Sequence, residues 1–227
     1  MGIFVNLRRI EQRNKMNTNK ILRRERKRLN DTLGATEWQR RQTLYKPFKV
    51  FVMLMPYMTT ESVGRLAIIP PPRKIGKHEI PQDLQMVTFG TLTKLQNTAK
   101  SNDFLKVCCE LVAVLTGESA ERVASRPAIE VIGTVNLVQT EMERIGKLFQ
   151  SLGVEHSSDE VAAGIDKLEF GTFGIVDWYA KRMGIIDHEE VFNTPWARIF
   201  QCMKIDHENN EFEKRYRQIL ERRIKRK

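Results

Sequence analysis

The spacing of hydrophobic positions changes along this chain. Between residues 45 and 96 the apolar residues form short runs at 48–55 and 65–69, and Pro and Gly residues flank these runs. Runs of this length, rich in β-branched and aromatic residues, predict strands. The three prolines at 70–72 and the basic segment after them predict an extended surface loop.

From Asp103 onward the apolar residues recur at steps of three and four, which is typical of helices. The pattern predicts a helix that ends at Gly117, a short helix capped by Ser119, and a longer helix that starts with Pro127 in its first turn. The same markers return at Gly184, Asp187 and Pro195.

Two short patterns indicate an internal repeat. Glu-x-Val-x-x-x-Pro occurs at 121–127 and again at 189–195, and Phe-Gly-Thr occurs at 89–91 and 170–172. The two pairs have different offsets, which indicates similar helical hairpins and not an exact duplication. Helix boundaries of this kind also recur by chance, so the sequence leaves both interpretations open.

The order of these elements predicts a mainly α fold with a small β element at about 48–69, arranged as two small helical subdomains with basic terminal arms. The predicted domains are a basic helical arm at 1–46, an α+β module of short strands and then helices at 47–152, a second helical module at 153–209, and a basic C-terminal helix at 210–227.

The positive charge is concentrated at the two ends of the chain. The net charge is +10, yet residues 1–50 alone carry 14 Lys/Arg against 4 Asp/Glu, and residues 211–227 carry 8 against 3. The segment between them is therefore acidic, and the ends can contact phosphates or acidic protein surfaces, or can be a solvated tail. The predicted contact residues for nucleic acid or a neighbouring subunit are Arg8, Arg9, Arg23, Arg24, Arg26, Lys27, Arg28, Arg222, Arg223, Lys225 and Arg226.

Composition narrows the class of protein. Three cysteines, an odd number, argue against a disulfide framework and favour a reducing compartment. The longest apolar run stops at Pro56, far short of the roughly 20 residues of a membrane-spanning helix, so we expect no membrane partner. The start resembles no signal peptide, and Met16 offers an alternative start that leaves residues 1–15 open. We expect the protein to be located in the cytoplasm of the producing cell or to be incorporated in the virion.

Motifs for catalysis or metal binding are absent from the sequence. It contains no phosphate-binding Gly-rich loop, no nucleophile elbow and no His-Glu-x-x-His. The triplets at 188–190 and 206–208 place consecutive side chains on different sides of a helix, so they do not converge on one ion. Cys108 and Cys109 fit a buried helix face. We therefore predict no enzyme activity, no catalytic residue, no metal and no cofactor.

An aromatic cluster in the last third of the chain has two interpretations. Helical spacing favours the core of the second subdomain, and a partner-binding surface is the alternative. The cluster comprises Phe170, Phe173, Trp178, Tyr179, Phe192, Trp196 and Phe200.

Several short stretches between residues 88 and 207 form a recognisable series, namely Thr88-Phe89-Gly90-Thr91, 111–115, Glu121-Arg122-Val123, Pro127-Ala128, Asp177-Trp178-Tyr179, Glu189-Glu190-Val191 and Pro195-Trp196-Ala197-Arg198. Together they resemble tail assembly chaperones and related small virion proteins of tailed bacteriophages. The resemblance implies two helical modules, the first similar to a domain that coats the tape measure protein and the second to an extension that recruits tail-tube subunits. It implies protein binding without chemistry, through Phe89, Trp178, Tyr179, Pro195 and Trp196.

The basic ends depart from this family, whose chaperones are typically acidic. They favour a related protein that stays in the particle, near the portal, the tail or the packaged DNA. We therefore predict a phage assembly or virion structural protein that forms homo-oligomers and binds other phage structural proteins or copies of itself, with basic arms that contact neighbouring subunits or packaged DNA. The alternative is a nucleic-acid-binding protein that uses its basic ends.

Overall fold

The computed structural model describes residues 43–58, 60–153 and 158–225. It is mainly helical with one small antiparallel sheet, which confirms the predicted fold class. The chain divides into two compact units. Within the described residues, the first unit contains 43–58, 60–84 and 94–142, and the second contains 85–93, 143–153 and 158–225. The segment 85–93, which the sequence assigns to the first module, thus belongs to the second unit.

The first unit begins with helix α1, Phe48–Leu54, and a 3-10 turn, Met55–Tyr57. Helix α2, Thr60–Gly64, and a second 3-10 turn, Arg65–Ile68, follow. The strands predicted at 48–55 and 65–69 are therefore wrong. In α1 the buried residues Phe48, Phe51 and Leu54 are three apart, so one helix face is buried, and a short apolar run cannot distinguish this from a buried strand.

The β element lies further along the chain, in the basic segment that the sequence assigns to a loop. Strands β1, Lys74–Ile75, and β2, His78–Glu79, pair antiparallel with Ile75 opposite His78. Gly76 has a φ of 56° in the turn between them, a conformation that favours glycine.

Helix α3, Phe89–Thr98, begins in the second unit and ends in the first. The first unit continues with α4, Phe104–Thr116, and α5, Ala120–Ala124, and then with the first part of α6, Ala128–Gln150. The predicted boundaries are confirmed here. The Asp103 side chain accepts a hydrogen bond from the Lys106 N–H, Gly117 ends α4 with a φ of 72°, and the Ser119 side chain caps α5.

The second unit repeats this local order. Helix α7, Ser158–Ala162, and a 3-10 turn, Ile165–Lys167, precede α8, Gly171–Met183. Helix α9, His188–Phe192, and α10, Trp196–Ile224, complete the unit. Gly184 ends α8 with a φ of 68°, and the Asp187 side chain caps α9. Helix α10 is continuous through the boundary predicted at residue 209.

In each unit a pair of backbone hydrogen bonds holds a short segment against the corner formed by the proline. In the first unit the Phe48 N–H donates to the Arg126 oxygen at 2.8 Å, and the Ala128 N–H donates to the Lys46 oxygen at 2.9 Å. These bonds flank an isolated bridge between Pro47 and Pro127. We call this pair of bonds a corner clamp.

The corner clamp of the second unit has the same form. The Phe89 N–H donates to the Thr194 oxygen at 2.8 Å, and the Trp196 N–H donates to the Val87 oxygen at 3.2 Å, around a bridge between Thr88 and Pro195. Phe89 thus corresponds to Phe48 of the first unit, not to Phe170 as the Phe-Gly-Thr pattern indicates. Phe89 is buried at a clamp, whereas Phe170 is exposed before α8.

The first unit also packs its proline segment closely against α6. The Asn136 side-chain amide donates to the Leu66 oxygen at 2.8 Å and to the Ile69 oxygen at 3.0 Å. A Cβ atom on Gly133 would lie 2.2 Å from the Pro70 oxygen. Because backbone cannot yield as a flexible side chain can, only glycine fits at this position of α6.

Two glycines of α6 provide a matched test of this close approach. A Cβ on Gly146 would meet nothing within 4 Å, so we expect Gly146→Ala to be neutral or to stabilise by up to about 1 kcal/mol. We expect Gly133→Ala to destabilise by about 1–3 kcal/mol, because it overpacks the contact with Pro70. Urea unfolding of both variants measures this, and equal effects would contradict the assigned packing.

Trp196 provides a second test, of the core of the second unit. Its side chain is 2% exposed and lies beside Phe149 and Phe200, at ring-centroid distances of 6.1 and 6.2 Å. We expect Trp196→Ala to lower the free energy of unfolding by about 3–5 kcal/mol. Phe173→Ala is the control, because that ring is 61% exposed. A Trp196→Ala variant as stable as this control would contradict the assignment.

Candidate binding surfaces

The structure divides the predicted aromatic cluster into core and surface. Tyr179, Trp196 and Phe200 are buried, whereas Phe170 and Phe173 are 68% and 61% exposed. The core interpretation is therefore confirmed for the buried part of the cluster, and a partner-binding surface stays a prediction for the exposed part.

Most of the residues predicted to bind protein lie in the core of the second unit. Phe89 is buried with its ring stacked 6.2 Å from that of Phe192, and Tyr179 and Trp196 are also buried. These three side chains pack inside the unit instead of facing a partner, because helical spacing turns them toward its centre. Pro195 is half-buried at the corner clamp.

Trp178 is the remaining member of that set, and it is half-buried. The Arg182 guanidinium lies over its ring, 5.8 Å from the centroid, and Arg182 also forms an ion pair with Asp206. Trp178 thus takes part in a contact between α8 and α10 within the second unit.

An aromatic patch lies at the start of α8. It is formed by Leu168, Phe170 and Phe173, which are 57%, 68% and 61% exposed. Phe170 lies directly before the helix and packs against its first turn, since a Cβ atom on Gly174 would lie 2.6 Å from the Phe170 Cβ atom. The Phe173 ring contacts the His188 ring edge-on at 5.3 Å. Clustered exposed aromatic residues are typical of surfaces that bind other proteins.

A second apolar surface runs along α10, and the sequence interpretation did not identify it. Its exposed members are Ile205, Phe212, Tyr216 and Ile219, at 49%, 60%, 52% and 49%. The Phe212 and Tyr216 rings stack at 6.2 Å with an interplanar angle of 10°. We call these four residues the α10 stripe. The seven-residue spacing of three of them was the available signal, but many charged residues surround them.

The basic residues predicted as contacts are only partly described. Arg222, Arg223 and Lys225 are exposed at the end of α10. The others lie outside the described residues, namely Arg8, Arg9, Arg23, Arg24, Arg26, Lys27, Arg28 and Arg226. Arg215 and Arg217, which the prediction did not include, are also exposed on α10 and extend its basic surface toward the α10 stripe.

The two adjacent cysteine thiols of the first unit, which are potentially reactive groups, are buried. Cys108 and Cys109 face the core of the first unit, and burial raises the pKa of both thiols, that of Cys109 to about 11. Both therefore remain protonated at neutral pH. Among the described residues, no group of three or more His, Cys, Asp or Glu side chains is arranged to hold a metal ion. No helix in this part of the chain is long and apolar enough to cross a membrane.

The first unit contains a cluster of three ionisable side chains, Glu118, Arg126 and His78, that contact one another. The Glu118 side chain is 5% exposed, and the Arg126 guanidinium donates to both its carboxylate oxygens. The His78 Nε2 atom lies 3.6 Å from Glu118 Oε1. The hydrogen bond from Arg126 lowers the pKa of the Glu118 carboxyl. Because a Cβ on Gly76 would collide with the Arg126 guanidinium, the β-turn rests directly on this ion pair.

No family model matches the chain, and neither a curated protein nor a solved structure does.

The partly buried ion pair of Glu118 and Arg126 predicts a pH dependence of stability. Because the pKa of Glu118 is lowered in the folded state, its contribution is complete above the unfolded value of about 4.3 and is lost as the pH falls below it. We expect Glu118→Gln to cost about 1–3 kcal/mol at pH 7 and progressively less toward pH 3. Urea unfolding across this range measures it.

Glu79→Gln is the control for this experiment, because Glu79 is 79% exposed in its pair with Lys74. We expect that variant to follow the wild-type pH profile closely. A Glu118→Gln variant with the wild-type profile would contradict the role of the pair of Glu118 and Arg126.

Proposed function

We propose that this chain is a bacteriophage assembly or virion structural protein that acts by protein–protein binding. The observation that carries the proposal is the pair of exposed apolar surfaces on the second unit, the aromatic patch and the α10 stripe. Apolar side chains at half exposure or more are stabilised when a partner removes them from water. The basic end of α10 would contact neighbouring subunits or packaged DNA.

The resemblance to tail assembly chaperones supports the same class of function. The residues that carry it include Asp177-Trp178-Tyr179 and Pro195-Trp196-Ala197-Arg198, which belong to helices of the second unit. In that family the second module recruits other subunits. The aromatic patch lies at the start of the helix that contains Trp178, which is a suitable position for such recruitment.

The first test is quantitative peptide mass spectrometry of particles purified from the source of this sequence, compared with the lysate in which they assemble. A fixed ratio to the shell subunit in finished particles would support a structural component. Presence only with assembling intermediates would support a chaperone. Absence from both would contradict the proposal.

The aromatic patch offers a test by substitution. We expect Phe170→Ser with Phe173→Ser to reduce co-purification with particles or intermediates at least about tenfold while the protein stays folded, because interface aromatic residues carry much of the binding energy. Ile68→Ser is the control, since Ile68 is 79% exposed in the first unit. Equal recovery of both variants would show that the patch does not bind.

Nucleic-acid binding is the second candidate function, and the exposed cations of α10 favour it. Arg222, Arg223 and Lys225 lie within one turn of each other at the end of the helix. Contacts of such residues with phosphates release counterions, so affinity falls steeply with salt and does not depend on base sequence.

Replacing these three residues by Ala would test the contact with DNA. We expect the slope of log affinity against log salt to fall by about 2–3. The control replaces Lys94, Lys100 and Lys147, which are exposed cations on or beside other helices, so that the net charge changes equally. The same loss in both variants would indicate a general charge effect and would contradict a site on α10.

A further inference from the structure

The α10 stripe has the spacing of a coiled-coil seam. Ile205, Phe212 and Ile219 are seven residues apart and fit the d positions of a heptad, and Tyr216 fits an a position together with Asn209 and Arg223. The three d residues and Tyr216 are about half exposed. An isolated helix gains little stability from such a seam, because its apolar side chains stay in contact with water. A second helix packed along the seam would bury them.

This seam is separate from the face by which α10 joins the second unit. Trp196, Ile199 and Phe200 are buried in the core at the start of the helix. Ile205 follows Trp196 by nine residues, which at about 100° per residue places it on the opposite side of the helix. Residues 212–225 are exposed throughout. A lone helical segment of this length is marginal in water, so packing against a partner would stabilise it.

The charges of α10 are divided between its two halves. Between residues 205 and 213 the helix carries Asp206, Glu208, Glu211 and Glu213. From 214 to 225 it carries Lys214, Arg215, Arg217, Arg222, Arg223 and Lys225, against Glu221 alone. Two copies of this helix in antiparallel orientation place the acidic half of each beside the basic half of the other, and their helix dipoles also oppose.

The flanking positions distinguish antiparallel from parallel pairing. In a parallel pair Asn209 would face its own copy favourably, but Glu208 would face Glu213 on both sides and Arg223 would face Arg223. In an antiparallel pair with Phe212 level with the partner's Tyr216, Glu208 lies within about 3 Å along the axis of the partner's Arg222. Glu213 and Arg215 each approach their own copy near the centre, which offsets part of this gain.

We propose that the occupant of the α10 stripe is a second copy of this chain, whose α10 pairs with it antiparallel about a two-fold axis near Lys214. Phe212 of each copy packs against the partner's Tyr216, and Ile205 packs against the aliphatic stem of the partner's Arg223. The inference deepens the proposed function, because it names the contact through which the protein oligomerises. A seam of about 20 residues spans roughly 30 Å, so the dimer is weak and its population depends on concentration.

Sedimentation equilibrium of the full chain over roughly three decades of concentration around the micromolar range tests the dimer. We expect a monomer–dimer equilibrium that Phe212→Ser weakens at least about tenfold without loss of helical circular dichroism. Phe173→Ser is the matched control, because that ring is equally exposed outside the seam. A monomer at every concentration, or a dimer that only Phe173→Ser weakens, would overturn the proposal.

Charge reversal tests the orientation. We expect Glu208→Arg alone and Arg222→Glu alone each to weaken the dimer, and the double variant to restore it, since Glu208 and the partner's Arg222 exchange signs. In a parallel pair Glu208→Arg would instead strengthen association by facing Glu213. Strengthening by the single variant, or no rescue in the double variant, would overturn the antiparallel arrangement.

Further outcomes distinguish a second copy from another occupant of the α10 stripe, and failure of the dimer from failure of the proposed function. If removal of residues 1–42 creates or strengthens the dimer, that segment of the same chain competes for the stripe and the second copy is not its resident occupant, which contradicts the proposal. A monomeric protein that still enters particles would overturn the dimer and leave the proposed function standing. A protein that dimerises but is absent from particles and intermediates would contradict the proposed function and leave the dimer standing.

Discussion

The structure depends on how the chain turns at two prolines. Pro127 and Pro195 each stand at the start of a long helix, where the first backbone N–H groups have no acceptor within the helix and must find one elsewhere. A passing segment supplies these partners in each unit through the corner clamp. The clamp fixes where α1 begins relative to α6 in the first unit, and where α3 begins relative to α10 in the second. The buried side chains Phe48 and Phe89 follow directly from this anchoring.

The second clamp also determines what α10 can do. It fixes the first turn of the helix, where Trp196, Ile199 and Phe200 enter the core. The same helix then continues beyond the core and turns an apolar stripe and a divided set of charges toward solvent. One helix therefore has a first part that is packed in the unit and a last part, residues 212–225, that is exposed throughout.

Local features of the sequence were the most predictive. The left-handed glycines Gly117 and Gly184 and the capping side chains Ser119 and Asp187 determine their helix ends by short-range contacts, so the sequence predicts them. The run 48–55 was misassigned because its length fits a strand and a helix equally well. Only the clamp at Phe48, a contact with residues almost 80 positions away, decides for the helix.

The candidate surfaces were predicted less well for a different reason. Aromatic residues identify both cores and interfaces, and burial depends on which neighbours the fold supplies, so Trp196 and Phe173 look alike in sequence. The α10 stripe was missed because Lys and Arg dominate the composition of 210–227. The exposed fraction of each side chain, which only the structure provides, separates the two roles.

Hydrogen–deuterium exchange measured at several protein concentrations tests this division of roles most directly. Amides at the corner clamps, those of Phe48, Phe89, Ala128 and Trp196, should be protected at every concentration. Amides of residues 205–224 should gain protection only as the concentration rises through the dimer range. Exchange in 205–224 that does not change with concentration, or unprotected clamp amides, would contradict the account.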